Sequence, residues 1–180
     1  YRMSHTLHQG VLAKYKNDVF VETGSFWGGG IEAAFYEPAF KTIYSVEIDP
    51  KFYEHCQRVW GGHPKVRLYL GDSAKVIPVI LGLIDRPTTF WLDAHDPQDG
   101  SVGQHEGWRM CPALLELQAI ERHPIKTHTI MIDDRFDFGT AQHDNITEDQ
   151  LQAQLRKINP NYRFVYERGW KEESVIVAVP

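Results

Sequence analysis

The sequence predicts a single α/β domain, residues 1–180, built on a mostly parallel sheet with helices on both faces. Short apolar runs of strand length alternate with helix-patterned segments from residue 19 onward, the order of successive β-α units. The last two runs, 162–166 and 174–179, follow one another with no helix between them, which predicts an antiparallel hairpin closing the sheet. A length of 180 residues with 42% hydrophobic and 24% charged residues suits one domain with one sizeable core.

Residues 1–18 read as a helical lead-in. The first buried strand is 19–22, and the glycine-rich turn after it opens a short helix through Ile31, Ala34 and Phe35. The second strand is 43–47. Asp49 and Pro50 then supply an N-cap and an N1 proline for a helix carrying Phe52, Cys56 and Val59. The third strand, 66–70, turns through Gly71-Asp72-Ser73 into a helix with Val76, Ile77 and Ile80 inward, which Pro78 should kink or shorten. The fourth, 88–92, ends at Asp93. The polar stretch 96–110 is expected to be a lid or acceptor-binding loop, with His105 and Trp108 as its candidate contacts. Pro112 opens a helix with Leu114, Leu115, Leu117 and Ile120, and the fifth strand, 129–132, runs into Asp133-Asp134. Thr147 and Gln150 form a capping-box pattern for a last helix carrying Leu151, Leu155 and Ile158.

Charge and hydropathy narrow the partners. The formal net charge is -5 and no long basic run occurs, which disfavours nucleic acid held through phosphates. No apolar run approaches the roughly 20 residues that span a bilayer. The expectation is a cytoplasmic protein with a small-molecule partner and no membrane contact; homo-oligomer formation is left open. Cys56 and Cys111 read as reduced thiols on helices rather than a disulfide.

In open α/β sheets, ligands bind beyond the carboxyl ends of the strands, and those ends here are rich in acids and glycines. The first turn, Glu22-Thr23-Gly24-Ser25-Phe26-Trp27-Gly28-Gly29-Gly30, lets backbone approach a ligand closely. Its glycines miss the G-x-G-x-x-G spacing, and Phe26 and Trp27 stand where a pyrophosphate needs open amides, so a ligand without phosphates fits better. Glu47 follows Gly24 at close to the ~20-residue offset at which a carboxylate accepts both ribose hydroxyls. Asp72 and Ser73 could receive an adenine amino group, and equally could be ordinary helix-cap residues. Strands four and five each run straight into carboxylates, Asp93 and Asp133-Asp134. Three such acids in one place repel one another and raise their own pKa values unless a hard cation such as Mg²⁺ joins them. His95 is a candidate general base or supporting group beside them.

Together these residues resemble the class I S-adenosylmethionine-dependent methyltransferases over about 19–179, and within them the metal-dependent O-methyltransferases of catechol and macrocin (macrolide-sugar) type. Those families carry E-x-G-x-x-x-G after the first strand, matched by Glu22, Gly24 and Gly28, and an acid ending the second, matched by Glu47. They carry an Asp after strand four and an acid pair after strand five, matched by Asp93, Asp133 and Asp134. Five β-α units closed by two strands is also their order, a Rossmann-like sheet of seven strands. The resemblance implies S-adenosylmethionine at Glu22, Gly24, Ser25, Gly28, Glu47, Asp72, Ser73 and Asp93, with Mg²⁺ or a similar divalent cation on Asp93, Asp133 and Asp134. It further implies methyl transfer to a small-molecule hydroxyl whose pKa the cation lowers. The catechol enzymes place a lysine base three residues after the strand-four aspartate. Asp96 stands there in this chain, which leaves Asp93 or His95 as the base and favours a sugar hydroxyl.

Three other readings compete. A nicotinamide oxidoreductase needs the dinucleotide glycine spacing that this chain lacks. Asp93-Ala94-His95-Asp96 resembles the D-A-H-x-D metal motif of arginase-type hydrolases, but Asp96 comes one position too early. A non-catalytic methyltransferase-like domain within a larger assembly is the third.

Overall fold

A computed structural model describes residue 7, residues 9–96 and residues 110–180. His105, Trp108 and most of the expected acceptor loop lie outside the described residues. Seven strands form one sheet: β1 (Val19–Thr23), β2 (Thr42–Glu47), β3 (Val66–Leu70), β4 (Thr88–Leu92), β5 (Thr129–Ile132), β6 (Arg163–Glu167) and β7 (Val175–Val179). Their spatial order is β3-β2-β1-β4-β5-β7-β6. The first five pair in parallel, and β7 runs antiparallel between β5 and β6, as the hairpin reading expected.

The helices α1 (Gln9–Leu12), α2 (Gly29–Phe35), α3 (Pro50–Trp60), α4 (Ser73–Leu81), α5 (Ala113–Arg122) and α6 (Glu148–Ile158) cover both faces. Alternation along the strands builds two cores. In β1, Val19 and Val21 join Ile77, Leu117, Ile120 and Leu155 from α4, α5 and α6. Phe20 points the other way, to Ile31 and Cys56 from α2 and α3. Strands covered on both faces must be apolar at nearly every position, which is why they read as continuous runs.

Local details depart from the sequence reading in four places. Val59 of α3 is 48% exposed and Trp60 is buried in its place. The inward stripe of that helix is Phe52, Cys56 and Trp60 at i, i+4 spacing, and Val59 is turned about 100° from its neighbour Trp60. Helix α4 runs three residues beyond Pro78, which stands on its exposed side. Leu115 of α5 is exposed, whereas Glu116 points inward. In the lead-in, helix forms only over Gln9–Leu12 among the described residues. No described helix is long and apolar enough to cross a membrane.

What positions the site is the crossover after β3. The chain moves outward from β1 to β2 and β3, then returns to place β4 on the other side of β1. Thr23 pairs with Leu92, so Gly24 and Asp93 emerge side by side at the crevice where the strand order reverses.

Candidate cofactor cleft and acidic cluster

The turn after β1 is shaped by glycine where sterics demand it. Gly24 has φ +83°, and a Cβ there would stand 2.8 Å from the Asp93 carbonyl oxygen. Only glycine lets the two strand ends approach so closely. The Gly24 and Ser25 N–H groups both donate to Val46 O, at 2.9 and 3.2 Å, which fastens the turn to β2. The Phe26 N–H donates to Glu47 Oε2 at 2.7 Å, and the Asp49 N–H donates to Glu47 Oε1 at 2.9 Å. Burial raises the pKa of Glu47, and those two N–H groups work against the rise. A carboxylate oxygen accepts two hydrogen bonds, so the Glu47 oxygens are oriented with capacity left.

Glu47 lines a cleft of about 400 Å³ together with Gly24, Val46, Ile48, Gly71, Asp72, Ser73, Ala94, His95 and Pro112. Asp72 also caps α4, accepting from the Ala74 N–H at 3.0 Å, so the cap and lining roles coincide in one residue.

Glu22 and Ser25 sit behind the turn rather than on the cleft lining. The Glu22 carboxylate occupies the space that a Cβ at Gly30 would need, and it accepts the Ser45 hydroxyl at 2.6 Å. Ser45 in turn meets the Ser25 hydroxyl at 2.5 Å. Burial pushes Glu22 up to about 8, with the Ser45 hydrogen bond opposing, so it holds a proton at neutral pH. Gly28 precedes α2 with φ +85°, against the Trp60 indole.

The three aspartates meet. Asp93, Asp133 and Asp134 each offer a carboxylate oxygen, all within 4.8 Å of one another. Asp93 also accepts from the Trp91 indole N–H at 3.3 Å. Burial, and then the Asp93 charge, push Asp134 up to about 6. Three convergent oxygens that repel one another fit a divalent cation chemically. His95 Nδ1 faces the cluster, 3.5 Å from Asp93 Oδ1 and 3.2 Å from Asp134 Oδ2. Burial opposes its charge, but the hydrogen bond and charge of Asp93 and the charge of Asp134 prevail, raising it to about 9.

Two residues at this edge escaped the sequence reading. Glu116, fully buried on α5, lies beneath the cluster, where the Ser73 and Thr23 hydroxyls face it and burial pushes it to about 7. Its signal was available, since position 116 falls between Ala113 and Ile120 on the apolar stripe of α5. His143 arrives from the turn after β5, buried, with its ring stacked on His95 at 5.2 Å between centroids. Burial and the neighbouring His95 hold it below the ordinary histidine range, as a neutral imidazole. No local pattern in the sequence marks it.

No protein-family model and no curated protein sequence matches the chain. Solved structures do match. The O-methyltransferase TomG from Streptomyces achromogenes, involved in tomaymycin synthesis and solved with SAM, is similar at TM-score 0.62 and 13% identity, covering 97% of this chain and 78% of that one. SAH-bound methyltransferase PaMTH1 from Podospora anserina is similar at TM-score 0.59 and 14% identity, over 95% of this chain and 75% of that one. A point mutant of MtNAS matches at TM-score 0.56 and 14% identity, covering 95% of this chain but only 56% of that one. This chain thus spans little more than half of MtNAS. The chain has the seven-stranded Rossmann-like fold of the class I methyltransferases. Fold alone does not name a reaction, which must be argued from the site.

Proposed function

We propose that this protein is an S-adenosylmethionine-dependent O-methyltransferase that uses a divalent cation and acts on a hydroxyl of a small molecule, of sugar or phenol type. The supporting observation is continuity. Ala94 and His95 line both the Glu47 cleft and the adjoining cavity over Asp93, Asp133 and Asp134. A cofactor cleft thereby opens directly onto an acidic cluster, at the carboxyl edge where α/β folds bind ligands.

When bound, S-adenosylmethionine would supply an electrophilic methyl group, its transfer leaving the thioether S-adenosylhomocysteine, and a cation held at the acidic edge would lower the pKa of the acceptor hydroxyl. Glu47 grips the two ribose hydroxyls with the acceptor capacity left after Phe26 and Asp49. Asp72 and Ser73 face the adenine end, and the turn at Gly24 holds the ligand against the β1 and β4 termini. The acceptor proton would leave to the Asp93 carboxylate, beside His95. The protein contributes chiefly position and a preset electrostatic environment.

Calorimetry with S-adenosylhomocysteine, alongside transfer of a labelled methyl group to pooled sugars and phenols, tests this. Binding in the micromolar range and turnover abolished by chelator are expected. Asp133→Asn with Asp134→Asn should abolish turnover while leaving cofactor affinity within about threefold. Tighter binding of NAD than of adenosylhomocysteine overturns the reading, and turnover that persists in chelator removes the cation from it.

A further inference from the structure

We infer that the cation at this edge is held by a mixed nitrogen–oxygen set, His95, Asp134 and His143, and is therefore a borderline transition ion rather than Mg²⁺. The inference rests on reading the edge as a cation site, and it names the class of ion.

The three side chains each present one donor atom, all within 4.8 Å of one another. His95 Nδ1 and Asp134 Oδ2 stand 3.2 Å apart, and His143 Nε2 lies 4.0 Å from the same Asp134 oxygen. Donors bound at ~2.0–2.2 Å from one ion are themselves about 3–4 Å apart, so these spacings need little adjustment to close on a metal.

His143 supplies a second, independent observation. The ring is 4% exposed, its Nδ1 has no hydrogen-bond partner among the described residues, and its Nε2, 4.0 Å from Asp134 Oδ2, is too far from that oxygen for a hydrogen bond. A neutral imidazole carries one lone pair, and Nε2, the nitrogen that faces Asp134, is placed to give it to an ion between them. Its placement is firm. The His143 N–H donates to Thr140 O at 3.1 Å, the Ile146 N–H donates to His143 O at 2.9 Å, and the Gly139 N–H donates to Ile146 O at 2.7 Å. Asp144, next in sequence, accepts the Cys111 N–H at 3.0 Å, tying the turn to the start of α5.

Imidazole nitrogens favour Fe²⁺, Co²⁺, Ni²⁺, Cu²⁺ or Zn²⁺, whereas Mg²⁺ prefers oxygen and keeps its waters. With His95 and His143 on the ion, Asp93, which lines the cavity over the cluster, is left to receive the acceptor proton.

The test is calorimetric titration of chelator-treated protein with Co²⁺ and separately with Mg²⁺, with visible absorption of the Co²⁺ form and thermal melts of every variant. Co²⁺ should bind at least 100-fold more tightly than Mg²⁺ and raise the melting temperature. His143→Gln and His95→Gln should each weaken Co²⁺ tenfold or more and alter its visible spectrum, and His143→Gln, at a residue that does not line the Glu47 cleft, should leave adenosylhomocysteine affinity unchanged. If His143→Gln does not melt cooperatively, His95→Gln, at a partly exposed position, carries the test. Equal affinity for the two ions, lost in Asp133→Asn and untouched in both histidine variants, overturns the mixed set in favour of the carboxylates alone. Failure of both ions to bind overturns the cation reading with it. Absence of adenosylhomocysteine binding in the same samples strikes the methyl-transfer reading and leaves the metal result standing.

Discussion

Phe26 donates its backbone N–H to the Glu47 carboxylate at 2.7 Å, from a left-handed backbone at φ +46°. One side chain at the end of β2 thus holds the turn after β1 in shape while keeping acceptor capacity toward the cleft. Hydrogen bonds to charged groups contribute about 1.5–3 kcal/mol each. Glu47→Gln should therefore weaken adenosylhomocysteine binding about tenfold and Glu47→Ala about a hundredfold, as read by calorimetry. A loss below threefold for both would leave Glu47 with a structural role alone.

Glycine at position 24 answers two demands, and a second glycine separates them. Gly139 shares its left-handed backbone, φ +86°, but a Cβ there meets nothing within 4 Å. Gly139→Ala should lose only the conformational term, about 1–2 kcal/mol. Gly24→Ala adds a clash with the Asp93 carbonyl and should lose more, with cofactor binding falling as the β1 and β4 ends part. Urea unfolding of both variants gives the comparison.

At the opposite end of the sheet, three hydrogen bonds fix two histidine tautomers. The Thr88 N–H donates to His128 Nδ1 at 3.1 Å, so the His128 proton is on Nε2 and goes to His123 Nδ1 at 3.0 Å. His123 Nε2–H is left for Ile84 O at 3.2 Å. Burial, with the neighbouring His123 and Lys126, lowers His128 from 6.5 to about 4. The folded state then binds fewer protons than the unfolded one between those values. Stability is fully present above about pH 6.5 and is lost as pH falls toward 4, by up to about 3 kcal/mol. In His128→Asn, whose amide oxygen can take the Thr88 N–H, that part of the slope should vanish. Unfolding measured at pH 7 and pH 4.5 decides it.

Glu22 carries the opposite sign. Its pKa rises on folding from 4.5 to about 8, so the folded state binds the extra proton. Stability is present at low pH and declines from about pH 4.5 to 8, by at most about 5 kcal/mol. Glu22→Gln mimics the protonated acid and should gain on the parent as pH rises, overtaking it before pH 8. An unchanged difference across that range would mean that Glu22 titrates normally.

Much of the site was legible because the residues that form it end strands. In a doubly covered sheet the strands are apolar runs, so an acid such as Glu47 or Asp93 at a run's end stands out. Glu116 was legible in principle, as a charge on an apolar helix stripe. His143 was not, because it sits in an irregular turn and its value comes from a ring that reaches it from the end of β4.

Local chemistry determined the order of β-α units, the closing hairpin, the caps at Asp49 and Thr147, and the acids that leave the strands. These depend on periodicity and near-neighbour hydrogen bonds, which are written in consecutive residues. Tertiary structure decided that β4 returns beside β1, that Glu22 turns inward while Glu47 lines the cleft, and that His143 stacks on His95. Those outcomes arise from pairing between segments far apart in the chain, whose energetics no short window of sequence contains.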